Sequence, residues 1–167
     1  MRVIRISALL LAGLVSACAS GAPLDSGTVA GAAAAAPAPT PGYDWHFTPS
    51  EDSVYLAYGV ENSDDLKIGL HCSPGSGQIE LAAPAPTGSR VIHLESGGEM
   101  ERFDAKGEPS ELHGGDFLTA GAAAREPLFQ RFRRLGWLAQ WTDGRRETYA
   151  AHPGSESGVE RFFARCG

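Results

Sequence analysis

The sequence predicts a mainly β domain, an antiparallel sandwich or small barrel with two short helices, the second at the C-terminus. Three observations lead there. Apolar and polar residues alternate at period two through most of the chain after residue 42. Gly, Pro, Ser and Asn interrupt these runs at short intervals. Only two stretches switch to helical spacing. Short strands at such regular spacing close into two sheets or a barrel.

Taken in order, Tyr43–Thr48 and Val54–Tyr58 alternate cleanly and read as half-buried strands. In a third strand Leu66, Ile68, Leu70 and Cys72 share one face, while Lys67, Gly69 and His71 share the other. Gln78–Ala82, Ser89–Glu95, Glu99–Asp104 and Asp116–Ala120 follow as further strands. A helix is expected over Pro127–Leu135, with Pro at its first position, Leu128, Phe132 and Leu135 on one stripe, and Gly136 as the stop. Arg131, Arg133 and Arg134 fall near its C-terminal end, where cations suit the helix dipole. Trp137–Thr142 and Arg145–Ala150 flank Asp143-Gly144, the strongest hairpin signal in the chain. A second helix is expected to begin at Ser157, whose spacing to Glu160 fits a capping box. It would bury Val159, Phe162, Phe163 and Cys166 at i, i+3, i+4 and i+7.

Composition excludes some function classes. A formal net charge of −6 over 167 residues argues against gripping nucleic acid by its phosphates. Residues 1–17 have a different character: Arg2 and Arg5 precede the ten-residue apolar stretch Ile6–Val15, which is the length of a signal h-region and too short to span a bilayer. Ala19–Pro41 is almost entirely Ala, Gly, Pro, Ser and Thr and has nothing with which to build a core. As a flexible chain it would reach roughly 25–30 Å. The expected organisation is a signal peptide at 1–17, Cys18 and a tether over 18–41, and a β-rich globular domain over 42–167.

The apolar stretch ends in Val15-Ser16-Ala17-Cys18, which resembles the lipobox of bacterial lipoproteins. That resemblance implies a diacylglycerol on the Cys18 thiol, cleavage before it, and a membrane contact made through lipid. Because Ala19 rather than Asp follows the cysteine, it also implies export to the outer membrane, facing the periplasm. Ordinary cleavage after Ala19 is the alternative, since Ala17-Cys18-Ala19 also fits the small-x-small rule. With Cys18 lipidated, two thiols remain, both on expected core faces, and an oxidising compartment should pair Cys72 with Cys166. The alternative is a pair of reduced buried cysteines or one reactive thiol.

Catalytic signals are not recognisable. The Gly154-Ser155-Glu156-Ser157-Gly158 stretch has Glu where a nucleophile elbow needs Ser, and HExxH, P-loop, CxxC and EF-hand patterns do not occur. No cofactor or metal is therefore expected. His46, His71, His93 and His113 would form a zinc site only if the fold converged them. Asp64, Asp65, Glu99 and Glu101 are acids whose pairing depends on distance in space. Two features are candidate binding surfaces. Trp137, Ala139 and Trp141 share one strand face, as core or as an aromatic platform. Arg131, Arg133, Arg134, Arg145 and Arg146 gather near the hairpin as a basic patch on an acidic domain.

Arg125-Glu126-Pro127-Leu128-Phe129 through Gly136, with Gly158–Cys166, resembles the C-terminal half of small exported proteobacterial proteins of unassigned function. A lipoprotein anchor before a β-rich domain with one disulfide is also similar to membrane-bound lysozyme inhibitors, whose Tyr, Ser and Lys inhibitory loop is not recognisable here. The expected function is a membrane-tethered, non-enzymatic envelope lipoprotein that binds an envelope protein or anionic polymer, or supports envelope structure. The alternatives are inhibition of a lytic enzyme and a cell-wall hydrolase using paired carboxylates.

Overall fold

The computed structural model describes residues 36–111 and 114–167. The expected signal peptide, Cys18, most of the tether and His113 lie outside the described residues. Within them the chain folds as two antiparallel sheets and two helices. The larger sheet contains β1 (Asp44–Pro49), β2 (Val54–Gly59), β3 (Leu66–Cys72), β4 (Gln78–Ala85), β7 (Lys106–Pro109) and β8 (Asp116–Ala123). Their spatial order is β1-β2-β3-β4-β8-β7. The smaller sheet has the order β10-β9-β5-β6, from β5 (Val91–Ser96), β6 (Glu99–Asp104), β9 (Trp137–Thr142) and β10 (Arg145–Ala150). The arrangement is a sandwich rather than a closed barrel.

Alternation decides which way each strand faces. Val54, Leu56 and Tyr58 of β2, Ile68, Leu70 and Cys72 of β3, and Ile79, Leu81 and Ala83 of β4 are all buried in one core. Ile92 and Leu94 of β5, Leu138 of β9 and Tyr149 of β10 meet them from the other sheet. The two helices, α1 (Pro127–Leu135) and α2 (Glu156–Cys166), add Leu128, Phe129, Phe132, Val159, Phe162 and Phe163 to the same core. Helix α1 lies against β5, β6 and β9, while α2 lies against β1 and β2.

Cys72 ends the apolar face of β3 and Cys166 ends that of α2, and their Cα atoms stand 5.8 Å apart, at disulfide distance. They are 94 residues apart in the chain. A bond closing that loop contributes about 4 kcal/mol in the chain-entropy account. Gly77 and Gly75 extend the clasp, their amides donating to the Cys166 and Arg165 carbonyls.

Some expectations required correction. Helix α2 starts at Glu156 instead of Ser157, and Ser155 rather than Ser157 is its N-cap, with no side-chain capping bond. The Ser155 hydroxyl is committed to Asp44 Oδ1 at 2.8 Å, and Ser157 Oγ donates to Gly154 O, so the capping box does not form. Leu135, expected on the buried stripe of α1, is 37% exposed, while Phe129 is buried in its place. The helix ends at Leu135, where Gly136 takes a φ of 73° and turns the chain away. Strand β7 was not foreseen. Its Lys-Gly-Glu-Pro sequence carries no apolar alternation, because an edge strand paired only to β8 needs backbone, not a buried face.

Candidate functional site

The sandwich gapes on the side where β9 and β10 face the ends of β3 and β4. Two adjoining cavities lie there. One, of about 540 Å³, is lined by Pro84, Ala85 and Pro86 on one side and by Gln140, Thr142, Arg145, Glu147 and Tyr149 on the other. The second, of about 410 Å³, is lined by Thr40, Tyr43, Tyr58 and Thr148. Lys67, Arg146 and Glu147 border both, so the two form one cleft running along β10.

Lys67 reaches this cleft through a break in strand register. Tyr58 pairs with Ile68 but Gly59 pairs with Leu66, which leaves Lys67 as the extra residue of a β-bulge. Gly59 makes the bulge possible: a Cβ there would stand 2.5 Å from the Asp65 carbonyl oxygen. Asp65 then fixes the lysine. Its carboxylate lies 2.8 Å from Lys67 Nζ and accepts the Tyr43 hydroxyl, and Lys67 Nζ sits 5.1 Å from the Tyr43 ring centre. Asp65 holds the Lys67 ammonium above its ordinary pKa, against the opposing effect of burial.

The hairpin supplies the opposite wall. Asp143 and Gly144 have φ of 50° and 72°, the left-handed pair of a two-residue hairpin turn, as the sequence predicts. Along β10, Arg145, Glu147 and Tyr149 face inward, in register with Thr142, Gln140 and Leu138. Tyr149 donates to Gln140 Oε1 at 3.1 Å, and Gln140 Nε2 donates to the Pro84 carbonyl at 3.1 Å, tying the wall to the end of β4. Burial, reinforced by nearby Glu147, holds the Tyr149 hydroxyl well above its usual pKa, so it remains protonated.

The five arginines expected to form a patch are separated by their partners. Arg131 is held by Glu99 and Glu101, each at 2.9 Å, and donates through Nε to the Ser96 carbonyl. Arg133 makes a two-pronged pair with Glu160 across α1 and α2. Arg146 makes another with Glu95, both bonds 2.8 Å, while its guanidinium lies 5.5 Å from the Trp137 ring centre. Arg134 and Arg145 have no ion-pair partner among the described residues, and only Arg145 lines the cleft. The outer face of the smaller sheet is therefore a structural cluster. Trp137 and Ala139 are buried there beside Ala150, and half-buried Trp141 donates to Glu95 at 2.7 Å.

Glu99 and Glu101 do converge, but on Arg131, which neutralises them. Glu147 is the only carboxylate among the described residues lining the cleft. His46 bonds the Gly59 carbonyl and His71 stacks on Tyr55. His93 stands opposite Trp141 and Arg102 on its neighbouring strands. No three His, Cys, Asp or Glu side chains gather into a metal site among the described residues.

Sequence reasoning missed Tyr43, Tyr58, Lys67, Gln140, Glu147 and Tyr149 as members of one site. Tyr58 and Tyr149 carry the ordinary alternation of core strands, and Lys67 sits on what reads as a solvated face. The local signal that could have found them was Gly59 before the turn at 61–64, which announces a bulge. No family model, curated protein or solved structure matches this chain.

Proposed function

We propose that the protein is a non-enzymatic binding module, held at the bacterial envelope by lipid on Cys18, that takes its partner in the cleft beside the β9–β10 hairpin. The observation that carries this reading is the charge of the lining. Lys67 and Arg145 line it with Glu147; Asp65 pairs with Lys67 and Glu95 takes up Arg146, which leaves Arg145 as the lining cation without an ion-pair partner among the described residues, on a chain whose formal net charge is −6. Basic side chains gathered at one cleft of an otherwise acidic chain make it the surface best suited to an anionic partner. The cavity volumes fall within the roughly 300–1,000 Å³ of small-ligand sites. With Arg131 and Arg133 committed to glutamates, the candidate contact surface narrows to the hairpin side. A flexible tether of the kind read in residues 18–41 would let such a domain search near the membrane, raising effective concentration.

The test is retention of isolated envelope polymer by the full chain in detergent, wild type against a Lys67→Gln/Arg145→Gln double variant. The wild type should retain anionic polymer in a salt-sensitive way and the variant should lose most of it. Equal retention by both would remove the cleft from this reading. Release of soluble fragments from the polymer by the wild type would replace it with a hydrolase.

A further inference from the structure

Tyr58 is 1% exposed, and its hydroxyl has no hydrogen-bond partner among the described residues. The same side chain lines the 410 Å³ cavity, together with Lys67 and Thr148. A tyrosine hydroxyl taken out of water with nothing to bond is destabilising, and phenylalanine would fill the same volume without that penalty. A residue so placed in the wall of a cleft that also holds Lys67 points to a group that arrives from outside.

Resting on the binding-module reading above, we propose that this inner cavity is an oxyanion subsite. It takes a carboxylate or phosphate of the ligand, which accepts hydrogen bonds from the Tyr58 hydroxyl and the Lys67 ammonium, while the rest of the ligand lies along β10 toward Arg145. Several features define the charge it takes. An ammonium only donates, so the partner of Lys67 must accept. Asp65 and the Tyr43 ring fix where that ammonium sits while using only part of its donor capacity. Arg146 borders the space, but its Nε and Nη2 are spent on Glu95. Glu147 borders the same space with negative charge, and Asp65 stands 2.8 Å from Lys67 Nζ. The subsite therefore suits an isolated anionic group among neutral, hydroxyl-bearing atoms, and disfavours a densely charged chain.

The full chain in detergent is titrated by calorimetry with sodium glucuronate, inorganic phosphate and glucose, using wild type, Tyr58→Phe and Lys67→Gln. At least one anion should bind about tenfold or more tightly than glucose, and whichever anion does so identifies the source of the group. Tyr58→Phe should keep or raise Tm while weakening that anion about fivefold or more, and Lys67→Gln should weaken it at least as much. A purely structural tyrosine would not lose affinity while keeping its stability. The subsite is overturned if neither anion binds, if glucose binds as well as the anions, or if both variants bind like wild type. Envelope polymer retained by a chain that binds neither anion would overturn the subsite and leave the module reading standing. Tyr58-dependent anion binding without polymer retention would do the reverse.

Discussion

Glu95 shows how a single carboxylate organises the outer face of the smaller sheet. It is 8% exposed yet charged, because Arg146 donates to it twice and Trp141 once. The Arg146 guanidinium, aided by the Trp141 N–H, holds its pKa below the usual carboxylate value despite the opposing effect of burial. A depressed folded-state pKa stabilises the fold above the unfolded value, about 4.3. That stability is lost as pH falls through the folded value. Replacing Arg146 with Gln leaves a buried charge short of donors and should cost about 1–3 kcal/mol at pH 7. Denaturant unfolding at pH 7 and pH 3 checks it: the gap between wild type and Arg146→Gln should shrink at pH 3. A gap independent of pH would mean the arginine acts only through its packing on Trp137.

Among the elements, the β9–β10 hairpin is set by its turn and the bulge in β3 by a close approach. At Gly144 nothing lies within 4 Å of where a Cβ would stand, so Gly144→Ala meets only the backbone cost of φ 72°, about 1–2 kcal/mol. Thermal unfolding should register that loss with the native circular dichroism spectrum intact. Gly59→Ala is a different case, since the new Cβ would collide with the Asp65 carbonyl at 2.5 Å and with Leu66. It should shift the Asp64–Lys67 segment and perturb the nuclear magnetic resonance signals of Tyr43 and Lys67 more than those of the hairpin. Unchanged signals at Tyr43 would show that the bulge does not position the cleft lysine.

For the molecule as a whole, the covalent clasp and the two-sided core are the principal supports. Cys72 and Cys166 are 2% and 0% exposed. Burial should keep both unlabelled when the native chain is alkylated without reductant, and the bond between them should keep them unlabelled after denaturation as well. A Cys72→Ser/Cys166→Ser variant should lose about 2–5 kcal/mol, read by denaturant midpoint. Two labelled thiols in the denatured, unreduced chain would refute the bond. Phe162, fully buried against Phe163 at a ring separation of 5.3 Å, should cost about 3–5 kcal/mol on replacement by Ala. The expected anchor has its own test: Cys18→Ser should release the protein from the membrane fraction or leave it unprocessed.

Much of this architecture was legible in local pattern. Period-two runs mark nine of the ten strands because a half-buried strand must alternate, and Asp143-Gly144 marks its hairpin because both residues take positive φ. The apolar faces ending in Cys72 and Cys166 even indicated which cysteines would meet. The cleft was not legible. Its members come from the segment before β1, from β2, β3, the end of β4, β9 and β10, and nothing in one segment records which residues of another will face it. Local pattern showed five arginines close in sequence as one patch. Packing divided them, because Glu95, Glu99, Glu101 and Glu160 arrive from positions 27 to 51 residues away. Charge in a sequence can be counted, but which charges stay free depends on the carboxylates that the fold carries to them.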